Sequence, residues 1–286
     1  MKNKKRKGGI LKLLAMLILI PTVLLISWPI SFIGTRIGRT RGGALQIPVR
    51  LYQHKETGRK VILVGAIHIG KKAYYERIQN LVDHVSTDGF QILYEGVGKM
   101  DDKDIGSLPP KQRVIVRQMK AISAFMQEVS TKLFDEDVVY QKHGLEYPDW
   151  WVRTDVEVAH VAALFAEVDL HFWDNPEDEP GEKLLEDTPE EIVWFIKTMF
   201  ATAIKLLPGI STVLGTFKQF NPKKRARDHI IITMRDEVAA LGILQHAEHA
   251  DVLSIWGAAH IPGIHKHLSA AGYRLTATDW FDAFWT

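Results

Sequence analysis

The chain has 286 residues, 46% of them hydrophobic and 24% charged, with 36 Lys and Arg against 34 Asp and Glu. Such a composition belongs to one large globular domain or two small ones. A net charge of only +2, with the basic excess gathered in the first dozen residues, argues against a nucleic-acid groove. The absence of cysteine excludes disulfides, thiolate nucleophiles and Cys-ligated zinc or iron-sulfur centres.

Five Lys or Arg between Lys2 and Lys7 precede an apolar run from Ile10 to Gly34 that only Lys12 interrupts. About 20 residues of this kind span a bilayer as a helix. A cleaved signal peptide would have a shorter apolar region ending in small residues, a site the run lacks, so an uncleaved single-pass anchor in the cell membrane is expected. The charge bias, modest because Arg36, Arg39 and Arg41 follow the span, puts the N-terminus inside and the domain outside the cytoplasm. Tail, anchor and a Gly/Arg-rich tether then occupy residues 1–42, and a domain follows over 43–286.

Two strands are expected between Leu45 and Gly70, joined by a Glu56-Thr57-Gly58 turn. A helix follows, with Tyr74, Ile78, Leu81, Val82 and Val85 at helical spacing, and then a short strand running into Glu95. Strand, helix, strand reads as a crossover unit with a parallel pair at its centre. The same grammar returns near the C-terminus, where an apolar strand from Val252 leads to a helix and to a strand beginning at Tyr273. The expected fold class is therefore mixed α/β, with a central sheet built from two related halves and a helical insertion over about residues 105–225. Within that insertion, Ile192 to Phe217 is apolar enough for a core or gating helix pair or for an interfacial membrane helix; Lys197, Lys205 and Pro208 break it.

Both strand exits carry G-x-x-H followed by Ile, at Gly65 to His68 and at Gly257 to His260. In open parallel sheets ligands bind outside the carboxyl ends of the strands, near the point where strand order reverses. Gly65 and Gly257 let the backbone turn sharply and approach a ligand. His68 and His260 would project into one crevice, and Glu95, at the end of the strand after the first crossover, should lie beside His68. Imidazole and carboxylate suit either a first-row divalent metal or general acid and base work. A single histidine at a strand exit is more often a surface residue; the repeated glycine, spacing and isoleucine favour a site. Asp279 holds the matching place after the second unit, with turn capping as its plainer role. Arg235, opening a helix, suits either a carboxylate clamp or an exposed ion pair. His246 with His249, and His265 with His267, lack the spacing of a metalloprotease helix, and no nucleophile elbow, phosphate loop or dinucleotide fingerprint is present.

These motifs, "GAIH", "LYEG", "MRDEVAAL" and "GAAH", resemble the TraB/PrgY/TIKI family within the erythromycin-esterase and ChaN-like superfamily, over about residues 58 to 280. A loosely similar acidic stretch in such proteins matches Asp155 and Glu157. Asp236 stands where the family commonly has Asn, and Val238 or Ala239 where Met is usual. The resemblance implies a sheet made of two related halves with a site between them. In the TIKI branch it implies a membrane-tethered, divalent-metal-dependent protease. Carried over residue by residue, it points to His68, Glu95 and His260 as metal ligands, with Arg235 as a further catalytic member. The expected cofactor is a divalent ion such as manganese, cobalt or zinc, and the expected partners are the membrane and a peptide or protein substrate. A non-catalytic protein that captures a peptide signal or a haem-like ligand in the same crevice is the alternative.

Overall fold

The computed structural model describes residue 23 and residues 25–96, 100–134, 136–172, 190–218 and 221–285. The basic tail, most of the expected anchor and the part of the expected insertion from 173 to 189 lie outside the described residues. Among the described residues, no helix is long and apolar enough to cross a membrane.

The main sheet runs in the order β9, β2, β3, β8, β5, β7 (β9 Tyr273–Phe284, β2 Ala44–His54, β3 Lys60–Ala66, β8 Val252–Gly257, β5 Gln91–Tyr94, β7 Val152–Arg153). β3, β8, β5 and β7 are parallel, and β2 is antiparallel to both of its long neighbours, β3 and β9. The expected hairpin is present as β2 and β3, with Gly58 at φ +71° in the turn, a region open to glycine at little cost. The segment expected as a tether is folded: β1 (Arg39–Arg41) pairs with the start of β2, and Arg39 lies over the Trp280 ring. Before it, α1 (residues 25–33) leads into the sheet.

Both strand-helix-strand units form, as β3, α2 (Lys72–Thr87), β5 and as β8, α11 (Ile261–Ala270), β9. Neither encloses a directly paired couple of strands. β8 inserts between β3 and β5, while β2 and β3 separate β8 from β9. Three-layer packing explains the interleaving. α2 buries Tyr74, Tyr75, Ile78, Val82 and Val85 on one sheet face with Val64, Ile92, Leu253 and Ile255. α11 and α10 (Met234–Ala247) cover the other face with Ile261, Ile264, Leu268, Ala239 and Ile243 against Leu63, Val252 and Trp256. Each buried aliphatic or aromatic side chain contributes roughly 1.5–3 kcal/mol, so the two faces together outweigh any single polar contact. The connections leave β3 and β8 toward opposite faces, which makes the gap between these two strands the switch point of the sheet.

The insertion contains α3 (Asp102–Ser107), α4 (Pro110–Leu133), β6 (Val138–Tyr140), α5 (Gln141–Gly144), β7, α6 (Val158–Glu167), α7 (Glu190–Lys205), α8 (Leu207–Lys218) and α9 (Pro222–Asp228). It is thus mostly helical but supplies two short strands, β6 to β4 (Ile69–Lys71) and β7 to the main sheet. α7 lays Val193, Ile196, Phe200, Ala201 and Ile204 on the main core, so it is a covering helix. α8 meets α1 where Ser31 Oγ accepts from the Gly209 amide at 2.8 Å and donates to the Leu206 carbonyl at 3.1 Å.

Gly65 owes its missing side chain to packing. A Cβ there would stand 2.6 Å from Ile47 Cγ2 and 3.1 Å from the Pro48 carbonyl oxygen. Gly65→Ala should therefore lower the unfolding free energy by about 1–3 kcal/mol, read by urea denaturation, and an unchanged midpoint would contradict this packing.

Candidate functional site

Ladder register puts the ends of β3, β8 and β5 level: Ala66 pairs with Gly257, the Ala258 amide donates to the Ala66 carbonyl at 2.7 Å, and the Glu95 amide donates to Ile255 at 2.9 Å. Glu95 therefore lies beside the exit of β8, one strand away from the exit of β3. The expected neighbour of Glu95 was His68; the interleaved strand order gives it His260 instead.

Glu95 is held through both carboxylate oxygens. Oε2 accepts the Gly257 amide at 2.5 Å, and Oε1 accepts Arg235 Nη2 at 2.6 Å. Gly257 is required here because a Cβ would sit 2.9 Å from Oε2. Arg235 grips Asp155 as well, from Nε to Oδ1 at 2.9 Å and from Nη2 to Oδ2 at 2.6 Å. The Arg235 side chain is 8% exposed and that of Asp155 is fully buried. Asp155 follows β7 directly, and the Arg153 side chain ties its loop by donating to the carbonyls of Gly96, Asp155 and Val156. Arg235 sits in the first turn of α10, just after a five-residue π turn, His229–Thr233, that joins α9 to α10. Such turns rephase a helix and recur at functional sites.

His260 caps α11. Its Nδ1 lies 2.6 Å from Asp236 Oδ1, its Nε2 lies 3.5 Å from Glu95 Oε1, and its ring meets the edge of Trp256 at 5.2 Å. Asp236 reaches the ring because α11 carries Gly263 at the crossing; a Cβ there would fall 1.8 Å from Asp236 Oδ2. One buried chain results: Asp155, Arg235, Glu95, His260, Asp236.

Burial pushes the Glu95 carboxyl up, but His260, Arg235, the Gly257 amide and, least, His68 outweigh it and hold Glu95 below the usual carboxylate range. Asp236 moves the other way, raised by burial against the opposing pull of His260. Arg235 stays charged despite burial, because Asp155 and Glu95 surround it. Three carboxylates thus meet one guanidinium and one imidazole, an excess of negative charge that suits an added cation.

The structure brings together Glu95, His260, Gly257 and Arg235. It leaves His68 exposed at the rim, its ring 6.3 Å from Tyr140 and its carbonyl accepting the Gln141 amide. His68 still acts on Glu95 by charge. Gly65 packs below the crevice. Asp279 lies within β9 and pairs with Arg77 at 3.0 Å in an exposed salt bridge, away from the crevice. Glu157 pairs with Arg153 at the surface. Arg227 donates to the carbonyls of His171 and Phe172, a structural contact. His246 pairs with Gln91 at 2.5 Å. The sequence reading did not assign roles to Asp236, Gly263 or Tyr147. The phenol of Tyr147 is pushed up to about 12 by burial and by the nearby Glu95 charge, so it remains a proton donor beside the crevice.

For a divalent ion, the donor pair that fits is His260 Nε2 with Glu95 Oε1. Asp236 on Nδ1 orients the ring as metal-ligating histidines require, and bonds of about 2.1 Å to each atom close across their separation. The third expected ligand does not converge: among the described residues no three His, Asp or Glu side chains form a metal-ligand group. Comparison of the chain with protein-family models, and with curated proteins, finds no match in either.

Removing Asp155 leaves Arg235 half-paired in a buried site, so Asp155→Ala should cost about 3–5 kcal/mol in chemical denaturation. Replacing Arg235 with Met in the same chain should recover part of the loss. Glu95 adds a pH signature. Its folded value is depressed, so its stabilisation is complete above the ordinary Glu range and is lost as pH falls through the folded value. The stability gap between wild type and Glu95→Gln should hold near neutrality and narrow below about pH 4; a gap independent of pH would contradict the depression.

Proposed function

We propose that this protein is a membrane-anchored hydrolase of the TraB/TIKI kind, a divalent-metal-dependent peptidase that acts on a peptide or secreted protein at the carboxyl ends of β3, β8 and β5. The observation that carries the reading is the buried chain of Asp236, His260, Glu95, Arg235 and Asp155 at the switch point of the sheet. His260 and Glu95 would hold the ion, manganese, cobalt or zinc, and His68 would join from the rim. When bound, the ion supplies an acidified water and polarises the scissile carbonyl.

The protein's own groups set the conditions for that chemistry. Asp236 fixes the ring of His260, so that Nε2 faces the crevice. Arg235 and the Gly257 amide pin Glu95 while leaving Oε1 one lone pair, which serves either as ligand to the ion or as base. Tyr147 keeps its phenol protonated through burial and the influence of the Glu95 charge. Tyr94, Tyr147 and Trp151 pack tilted and edge to face against the main core next to β5. The apolar run from Ile10 supports the anchor, with the N-terminus inside and the domain outside.

The exposed ring of His68 favours a second reading, capture of a peptide signal or haem-like ligand without turnover. The full chain in neutral detergent, incubated with a mixed peptide library, separates the two. Metal-dependent cleavage that a chelator stops and His260→Ala abolishes supports the hydrolase, whereas stoichiometric binding without products supports capture. Asp236→Asn should lower kcat or metal affinity by about 10–100-fold, since it loosens an orienting carboxylate. His68→Ala should weaken activity while leaving the unfolding midpoint unchanged, because the ring is exposed; full activity would remove His68 from the site.

A further inference from the structure

On the face of the sheet covered by α11, Arg50 of β2 is buried to 7% exposure. Its Nη2 donates to the Arg36 carbonyl at 2.7 Å, and its Nε is buried with no partner. Among the described residues no carboxylate forms an ion pair with Arg50 or with Arg36. A guanidinium this deep normally has a counter-ion, because an uncompensated buried charge is costly.

The groups around it bring no negative charge. Arg36 is exposed at the rim. His265, half-buried on α11, brings Nδ1 to 3.1 Å from the Tyr52 hydroxyl. Burial lowers the His265 value, and the charges of Arg50 and Arg36 lower it further. Arg50 also acts on Tyr52 by hydrogen bond and by charge. Two guanidinium groups thus act on an imidazole that is bonded to a phenol, and the buried Nε of Arg50 has no hydrogen-bond partner in the protein.

We infer that Arg36, Arg50, His265 and Tyr52 form a binding site for a phosphate-bearing anion. Guanidinium groups present paired donors that match phosphate oxygens, and a buried one adds the strength of a dry setting. The site is separate from the Glu95 crevice and shares no side chain with it. Its place in the chain bears on the source of the phosphate. Arg36 follows α1, where Trp28, Phe32 and Ile33 are 65%, 67% and 83% exposed. α1 continues the apolar run from Ile10, so a lipid headgroup would meet these basic groups where the chain leaves the hydrocarbon.

The shared chemistry allows a phospholipid or free phosphate, and one experiment distinguishes them. The full chain in a neutral detergent is titrated, at matched ionic strength, with inorganic phosphate, with phosphatidylglycerol-doped micelles and with phosphatidylcholine-doped micelles, and the thermal unfolding midpoint is followed. A rise with phosphatidylglycerol alone identifies an anionic lipid site, and a rise with inorganic phosphate identifies a free-anion site; either supports the inference. The half-saturating concentration should rise at least tenfold in Arg36→Gln and in His265→Gln. Arg36 is exposed, so its variant tests the site even if Arg50→Gln fails to fold. Absence of any rise, or a rise that both variants share unchanged, would overturn it.

Discussion

The two oxygens of the Glu95 carboxylate bind the molecule together. One holds the backbone at the end of β8, and the other holds a guanidinium that is itself locked to a fully buried aspartate from the insertion. Buried ion pairs of this sort contribute little net stability, since desolvation offsets most of the attraction. Their effect is to reject alternatives. Any arrangement that separates α10, β5, β7 and β8 strands a charge in a dry interior, so the insertion is registered to the sheet at this point.

That constraint also decides how close the elements approach. α10 and α11 cross where Gly263 leaves room for Asp236, and β8 ends where Gly257 leaves room for Glu95. In both places a missing side chain admits a carboxylate, and both carboxylates then address the same imidazole. The glycine of the second tetrad thus serves the site, whereas the glycine of the first serves packing against Ile47 and Pro48. Two motifs alike in sequence have come to different work because their connections leave the sheet toward opposite faces.

This divergence weakens the symmetry suggested by the repeated tetrads. His260 is enclosed by Asp236, Trp256 and Glu95, while His68 stands at the rim near Tyr140. A substrate or ion entering the crevice would therefore meet one enclosed histidine and one exposed one. The surplus negative charge in the network makes a cation the natural complement. The opposite sign prevails at Arg36 and Arg50, so the two polar regions of the domain differ in charge.

Periodicity in the sequence determined the helices α2, α10 and α11, the helical character of the insertion and the strands β2, β3, β5 and β8, because their side chains must alternate or recur to bury one face. Position at a strand exit or helix start picked out Glu95, His260 and Arg235, whereas Asp155 entered only through the family resemblance. Strand order was not legible there: nothing local in β8 says that it lies between β3 and β5. β7 has two residues, too few for any pattern, yet it delivers Asp155. Asp236 and Gly263 are unremarkable alone and acquire meaning only where two helices cross. Likewise the tether and Asp279 took their roles from pairing along the long β2 and β9 ladder. Local chemistry is written residue by residue, but neighbourhood across a parallel sheet depends on which connection passes over which face, and only the packed structure decides that.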